Sequence, residues 1–149
     1  MRKIEIVNVR GMKAHAPGVV YIGRACAGWK QSPLANPFAI GKDESRESVI
    51  EKYRHWLWRE IQIRGSVYRE LMRLSGIYAE GGKIVLACWC FPQTCHGEVI
   101  ARAIRYYGYF KRSTRFPKRS HAKRTAIEQA NPRWLAKFQI VTKGGDPHS

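Results

Sequence analysis

The residues best suited to chemistry are three cysteines and a histidine that lie close together in the chain. They are Cys88, Cys90, Cys95 and His96, in the pattern C-x-C-x4-C-H. Thiolates and imidazoles are the usual ligands of zinc, and a thiolate is also a strong nucleophile. The cluster therefore favours either a metal site or a thiol-dependent reaction, and the residue types alone do not choose between them.

A metal site would use some or all of Cys88, Cys90, Cys95 and His96, with zinc as the expected ion and no other cofactor. The spacing differs from that of the common zinc ribbons, and adjacent side chains such as those of Cys95 and His96 rarely reach the same ion. A third interpretation is an interaction module without chemistry, in which the cysteines are small buried apolar residues. That interpretation fits Cys88 best.

A thiol-dependent enzyme would use Cys95 or Cys90 as its nucleophile, assisted by His96 or by an arginine from the long loop over residues 24–44. A nucleoside, a nucleotide or another phosphorylated compound would be its substrate. A phosphatase-type loop needs an arginine six positions after the cysteine, where Cys90 has His96 and Cys95 has Ala101. That particular chemistry is disfavoured, and whether the protein is an enzyme stays open.

The cluster follows the most apolar stretch of the chain, residues 83–90, which predicts a buried strand. Alternate side chains of a strand share a face, so Cys88 and Cys90 are expected on the same side. A helix is expected from about residue 96 to 107, and its amino terminus would lower the pKa of the Cys95 thiol. The carboxyl end of such a strand is where α/β sheets bind ligands.

The remaining patterns complete an α/β domain. They predict strands over residues 3–9 and 19–22, a helix that begins at Arg46 after the N-cap Ser45 and breaks at Gly65, and a second helix over about 67–74. The order strand, helices, strand, helix indicates a small Rossmann-like domain in two or three layers with a mostly parallel sheet. We expect residues 1–108 to form this domain and 109–149 a basic C-terminal extension.

Charge is the strongest compositional signal, with 27 Lys and Arg against 11 Asp and Glu and a net charge of +16. Such an excess favours a polyanionic partner. Cations concentrate toward the C-terminus, at Arg102, Arg105, Lys111, Arg112, Arg115, Lys118, Arg119, Lys123 and Arg124. Tyrosines and phenylalanines lie among them, and this mixture predicts binding of DNA or RNA without sequence specificity. Two alternatives stay open. At least one of the aromatic side chains belongs to the core, or the charged run is only a solvated tail.

Other function classes are disfavoured. No apolar run approaches the roughly 18 residues of a membrane span, so no membrane partner is expected. The first residues lack the continuous apolar core of a signal peptide, and clustered thiols suit a reducing compartment, so a cytoplasmic location is expected. The oligomeric state leaves no signal in the sequence.

Several separated blocks resemble one known family. They are the runs YIGR at 21–24, SPLANPF at 32–38, SRE at 45–47, LACWC at 86–90 and CHG at 95–97. Together they resemble a phage and bacterial family catalogued as domain of unknown function 4326, over about residues 19–107. The block from Cys88 to Gly97 also resembles, more weakly, domain of unknown function 488, in which an arginine usually occupies the place of Gly97.

The resemblance implies that Arg24, Asn36 and Arg46 are signature polar positions of the family, alongside the three cysteines and His96. It also implies that Arg24 and the loop at 32–38 converge on the cysteine-bearing helix. Arginine forks beside a helix amino terminus suit a phosphate or a carboxylate, so an anion or nucleotide pocket is expected there. No established activity comes with the resemblance.

Overall fold

A computed structural model describes residues 3–13, 16–26 and 28–113 of the chain. The strands are β1 (Lys3–Asn8), β2 (Val19–Tyr21) and β3 (Lys83–Cys88), and the helices are α1 (Arg46–Ile63), α2 (Ser66–Ala79) and α3 (His96–Ser113). The strands form a parallel sheet in the order β1-β3-β2. The predicted α/β class with a parallel sheet is therefore confirmed.

The central strand β3 is apolar on both faces because both are covered. Ile84, Leu86 and Cys88 belong to the main core, which they share with buried residues of all three helices. Ala87 points to the other face, where it packs with Trp29 in a smaller cluster. The helices thus form one layer over the sheet, and the alternation along β3 is the one that its sequence predicts.

The predicted start of α1 is confirmed, since the Ser45 hydroxyl accepts a hydrogen bond of 3.1 Å from the Ser48 amide. Helix α2 runs past Gly76, where it was expected to end, and its last residue is Ala79. A glycine inside a helix weakens it without ending it, and packing against α3 outweighs that cost. A side-chain carbon at Gly108 of α3 would lie 3.0 Å from the Ser75 carbonyl oxygen, so the missing side chain permits close approach of these helices.

Helix α3 also continues beyond its expected end at Tyr107, through Ser113. Residues 109–112, which were predicted to begin the extension, are therefore helical. Residues 114–149 lie outside the described part of the chain, so the division into a domain and an extension stays a prediction. Among the described residues, no helix combines the length and apolar character needed to cross a bilayer.

Candidate functional site

The predicted cluster assembles where β3 ends and α3 begins. Cys88 is the last residue of β3, His96 is the first residue of α3, and Cys95 directly precedes that helix. Both thiol sulfurs and one ring nitrogen of His96 lie within 4.8 Å of one another, and all three residues are buried. The adjacent Cys95 and His96 therefore do reach a common point, although neighbouring residues rarely do.

A backbone hydrogen bond sets the orientation of His96. Its Nε2 lies 2.7 Å from the carbonyl oxygen of Ile22, just after β2, and only a protonated nitrogen can donate to a carbonyl. Burial lowers the pKa of His96, so the ring is neutral at pH 7 and its Nδ1 carries a lone pair. That Nδ1 lies 4.0 Å from the Cys88 sulfur.

The three thiols differ in acidity because they interact with one another. Hydrogen bonding to Cys90 and Cys95, together with burial, raises the pKa of Cys88 well above its ordinary value. The same bond from Cys88 lowers the pKa of Cys95, and the Gly97 amide lowers it further. It also lowers the pKa of Cys90 to about 6, with help from Arg46. Cys88 is therefore the least acidic thiol of the cluster, and Cys90 and Cys95 are the more acidic ones.

Strand β3 ends at Cys88, two residues before the predicted end at Cys90. Its ladder partner β1 also ends here, since Asn8 pairs with Cys88. Beyond that pair, the Asn8 side chain holds the chain that follows β3. Its Nδ2 donates to the carbonyls of Trp89, at 3.1 Å, and Phe91, at 2.5 Å. Cys90 consequently sits in the following loop, half-buried and outside the group of three.

A cavity of about 370 Å³ opens beside the cluster. Seven of its lining residues are the positions that the family resemblance implies, namely Arg24, Asn36, Arg46, Cys88, Cys90, Cys95 and His96. Residues separated by more than seventy positions in the chain thus converge on one space. The volume lies within the roughly 300–1,000 Å³ range typical of small-molecule sites.

Arg24 and Asn36 shape one wall of this cavity together. The Arg24 guanidinium donates from Nε to the Asn36 carbonyl, at 2.9 Å, and from Nη2 to the Phe38 carbonyl, at 2.8 Å. The Asn36 side-chain oxygen accepts from the Phe38 amide at 2.9 Å, a local turn typical of asparagine. Asn36 therefore acts on the loop, while Arg24 holds that loop against the site.

Arg46, in the first turn of α1, connects that helix to the loop before α3. Its guanidinium donates to the Gln93 side chain at 2.6 Å and to the Thr94 carbonyl at 3.4 Å. It also lies close enough to Cys90 to lower the pKa of that thiol. Both arginines are thus held by the protein rather than free in solvent.

Two residues of the site were not singled out from the sequence. Tyr53 is fully buried, its ring meets the edge of the His96 ring with centroids 5.0 Å apart, and its hydroxyl donates to the Leu34 carbonyl at 2.7 Å. Helical spacing places Tyr53 in the core but does not indicate what it contacts. The second residue is Asn8. The feature of the sequence that could have pointed to it is an amide side chain at the end of an apolar strand.

The predicted nucleic-acid residues are only partly described. Arg102, Arg105 and Arg112 are exposed on α3, and Lys111 donates to the Met72 carbonyl at 2.6 Å. Tyr107 is buried, which confirms that an aromatic side chain of this segment belongs to the core. The other candidates lie outside the described residues, namely Arg115, Lys118, Arg119, Lys123 and Arg124.

Comparison with known proteins identifies the family and nothing more specific. No curated protein and no solved structure matches this chain. The model of a domain of unknown function matches residues 7–106, which run from β1 into α3 and include every residue of the cavity. The likeness to domain of unknown function 488 and the phage origin stay predictions. The chain therefore belongs to the family described as domain of unknown function DUF4326.

Proposed function

We propose that the protein holds a zinc ion through Cys88, Cys95 and His96, with the remaining coordination position open to the cavity. Two cysteines and one histidine, with a fourth position left for water or substrate, are one of the ligand sets of catalytic zinc. The function that this arrangement supports best is zinc-dependent chemistry on a small molecule bound in the cavity.

The orientation of His96 is the observation that carries the proposal. Histidines that ligate metals almost always donate their other ring N–H to a carboxylate, a carbonyl or water, which fixes the ring and its tautomer. His96 makes that bond to Ile22 and turns the lone pair of Nδ1 toward Cys88. The sulfurs of Cys88 and Cys95 both lie within 4.8 Å of a ring nitrogen of His96, so three potential ligand atoms lie together.

The spacing of the candidate ligands is close to what zinc requires. With bonds of about 2.3 Å to sulfur and 2.0–2.1 Å to nitrogen, the ligand atoms of a tetrahedral site lie about 3.5–3.8 Å apart. The sulfur of Cys88 and Nδ1 of His96 are 4.0 Å apart, and the whole group is within 4.8 Å. Small side-chain rotations would bring all three atoms to bonding distance.

The test is metal content measured by native mass spectrometry on the full chain, purified without chelator and supplied with zinc. We expect one zinc per chain in the wild type and none in Cys95→Ser or His96→Ala. Matched controls are Cys26→Ser, an exposed cysteine at the cavity, and His55→Ala, an exposed histidine on α1. Circular dichroism establishes that each variant is folded. A wild type that stays metal-free in excess zinc, or controls that lose the ion equally, would refute the proposal.

A thiol-dependent reaction is the second candidate, and the position of Cys90 favours it. Cys90 is half-buried, lines the cavity and lies beside Arg46, whereas Cys88 and Cys95 are buried. If Cys90 is the nucleophile, a small alkylating reagent should modify it faster than the more exposed Cys26. Peptide mapping after brief alkylation distinguishes the two sites, and faster modification of Cys26 would contradict this candidate.

Nucleic-acid association is a separate proposal, supported by one face of α3. Arg102, Arg105, Tyr109 and Arg112 recur at spacings of three and four residues, and all are exposed. Tyr109 is 67% exposed, an arrangement that suits a base stacked on its ring between phosphates. The binding would be independent of sequence, because backbone charge and stacking do not read base edges.

Fluorescence anisotropy with a single-stranded oligonucleotide tests this association across a salt series. We expect the double variant Arg105→Glu, Arg112→Glu to bind more weakly and to show a shallower salt dependence, since fewer counterions are released. The control for net charge is a second pair of substitutions, Arg59→Glu with Arg69→Glu, at exposed arginines of α1 and α2. Equal losses in the control and the double variant would show that only overall charge matters, and would remove α3 as the interface.

A further inference from the structure

The cavity wall contains two arginines, and the acidic thiol of Cys90 lies beside one of them, Arg46. Arg24 and Arg46 line the cavity, and none of its lining residues is an aspartate or a glutamate. Among the described residues, neither arginine forms a salt bridge, whereas Arg54 and Arg73 each pair with a glutamate one helical turn away. No carboxylate of the described residues therefore lines the cavity or pairs with either arginine.

Both guanidinium groups are also fixed in place. Arg24 is held by the carbonyls of Asn36 and Phe38, and Arg46 by Gln93 and the Thr94 carbonyl. Neutral acceptors restrain an arginine without cancelling its charge. Donors held in this way bind an anion at lower entropic cost than flexible ones do.

The first turn of α3 also contributes positive electrostatic potential to the cavity. Helix α3 begins at His96, inside the cavity wall, and is eighteen residues long. The amino end of the helix dipole favours negative charge, although the Gly97 amide already bonds to the Cys95 thiol and the Glu98 amide to the Cys95 carbonyl. Two arginines and a helix amino terminus therefore act on one space from α1, from the loop after β2 and from α3.

The rest of the wall is apolar and partly aromatic. Phe38, Val49 and Ile50 line the cavity, together with Ile40 and Trp89. Ile40 is 49% exposed and Trp89 is 41% exposed, which is unusual for large apolar side chains at a cavity. A ligand with a flat apolar part would cover these two side chains.

We propose that the cavity binds a small phosphate monoester with a flat aromatic body, of the size and type of a nucleoside monophosphate, with the phosphate directed to Arg24 and Arg46. A phosphate monoester carries up to two negative charges, which matches two guanidiniums better than a single carboxylate does. This inference names the ligand class of the proposed zinc site and rests on that site for any chemistry, although the arginines alone account for the binding.

Calorimetric titration of the zinc-supplied full chain with adenosine 5′-monophosphate tests the inference. Adenosine, inorganic phosphate and benzoate are titrated in parallel to separate the aromatic body, the phosphate and a carboxylate. We expect adenosine monophosphate to bind at one site per chain, and each of the other three to bind at least tenfold more weakly. Arg46→Gln should weaken it by about tenfold to a hundredfold, the effect of losing a hydrogen bond to a charged group.

The control variant is Arg59→Gln, on the same helix but away from the cavity, and it should bind like the wild type. Unchanged affinity in Arg46→Gln, or adenosine binding as tightly as its monophosphate, would overturn the inference, and tight benzoate binding would overturn the choice of phosphate. Zinc content is measured on the same samples. Zinc without nucleotide binding defeats only the ligand class, whereas Arg46-dependent nucleotide binding in zinc-free protein supports the ligand class and defeats the metal site.

Discussion

The two ends of the paired strands β1 and β3 use polar residues in opposite ways. At the amino end, Lys3 pairs with Lys83 in the ladder, and Glu5 forms salt bridges to both, at 2.6 and 2.9 Å. These lysines are exposed and share one carboxylate at the surface. At the carboxyl end, Asn8 pairs with Cys88, which lies buried beside His96.

The contrast shows where a parallel sheet concentrates binding groups. All strands of such a sheet end at the same edge, so the loops that follow them meet there together with the amino termini of helices. The amino edge receives no comparable convergence, and its exposed ion pairs are worth little. The carboxyl edge, with its buried histidine and thiols, is therefore the candidate site, whereas the amino edge has only exposed ion pairs.

Removing the metal should change the free energy of unfolding more than any substitution described below. The change should depend on the cysteines and His96 at the carboxyl end of the strands. If zinc binds the folded state alone, a zinc concentration of 1,000 times the dissociation constant adds about 4 kcal/mol to the free energy of unfolding. A chelator should therefore lower the melting temperature of the wild type clearly, and of Cys95→Ser hardly at all. A chelator effect of equal size in both proteins would place the ion elsewhere.

Tyr53→Phe should have the next largest effect, because it leaves the buried Leu34 carbonyl without its donor. We expect the free energy of unfolding to fall by about 1–3 kcal/mol, measured by urea denaturation. Zinc stoichiometry should be unchanged, since the ring that packs on His96 is retained. Loss of zinc in this variant would mean that the hydroxyl, and not the ring, positions the histidine.

Asn8→Ala should lower the free energy of unfolding less than Tyr53→Phe does. The carbonyls of Trp89 and Phe91, which lose their donor, are accessible to water. A loss of about 1 kcal/mol is expected, the typical worth of a hydrogen bond. Its clearer signature is faster amide hydrogen exchange in the loop between β3 and α3. Unaltered exchange in that loop would show that Asn8 does not hold the site together.

Glu5→Gln, at the opposite end, should have the smallest effect. Hydrogen bonds from Lys3 and Lys83 lower the pKa of Glu5 to about 2 in the folded state. A lowered folded pKa stabilises the protein above the unfolded value, near 4.3, and this contribution is lost as the pH falls through 2. The variant should melt about a degree lower at pH 7, with the difference vanishing near pH 2 and in high salt. A difference that grows on acidification would contradict the pairing.

Patterns that depend on local geometry were readable from the sequence. The alternation along β3 predicted which face Cys88 occupies, and Ser45 predicted the start of α1. The order of strand, loop and helix predicted that the cysteines and His96 lie where β3 ends and α3 begins. Helix ends were less predictable, because α2 continues through Gly76 and α3 through Ser113 for reasons of packing. The contacts of Asn8 and Tyr53 depend on residues far away in the chain, and no local pattern encodes them.

The proposed zinc ion is bound by Cys88, Cys95 and His96, with one coordination position open to the cavity. X-ray absorption at the zinc edge of the zinc-loaded full chain reports these ligands. We expect two sulfur ligands at about 2.3 Å and two nitrogen or oxygen ligands at about 2.0–2.1 Å. Three sulfurs would make Cys90 a ligand and close the site, and a shell without sulfur would show that the ion is not bound by this cluster.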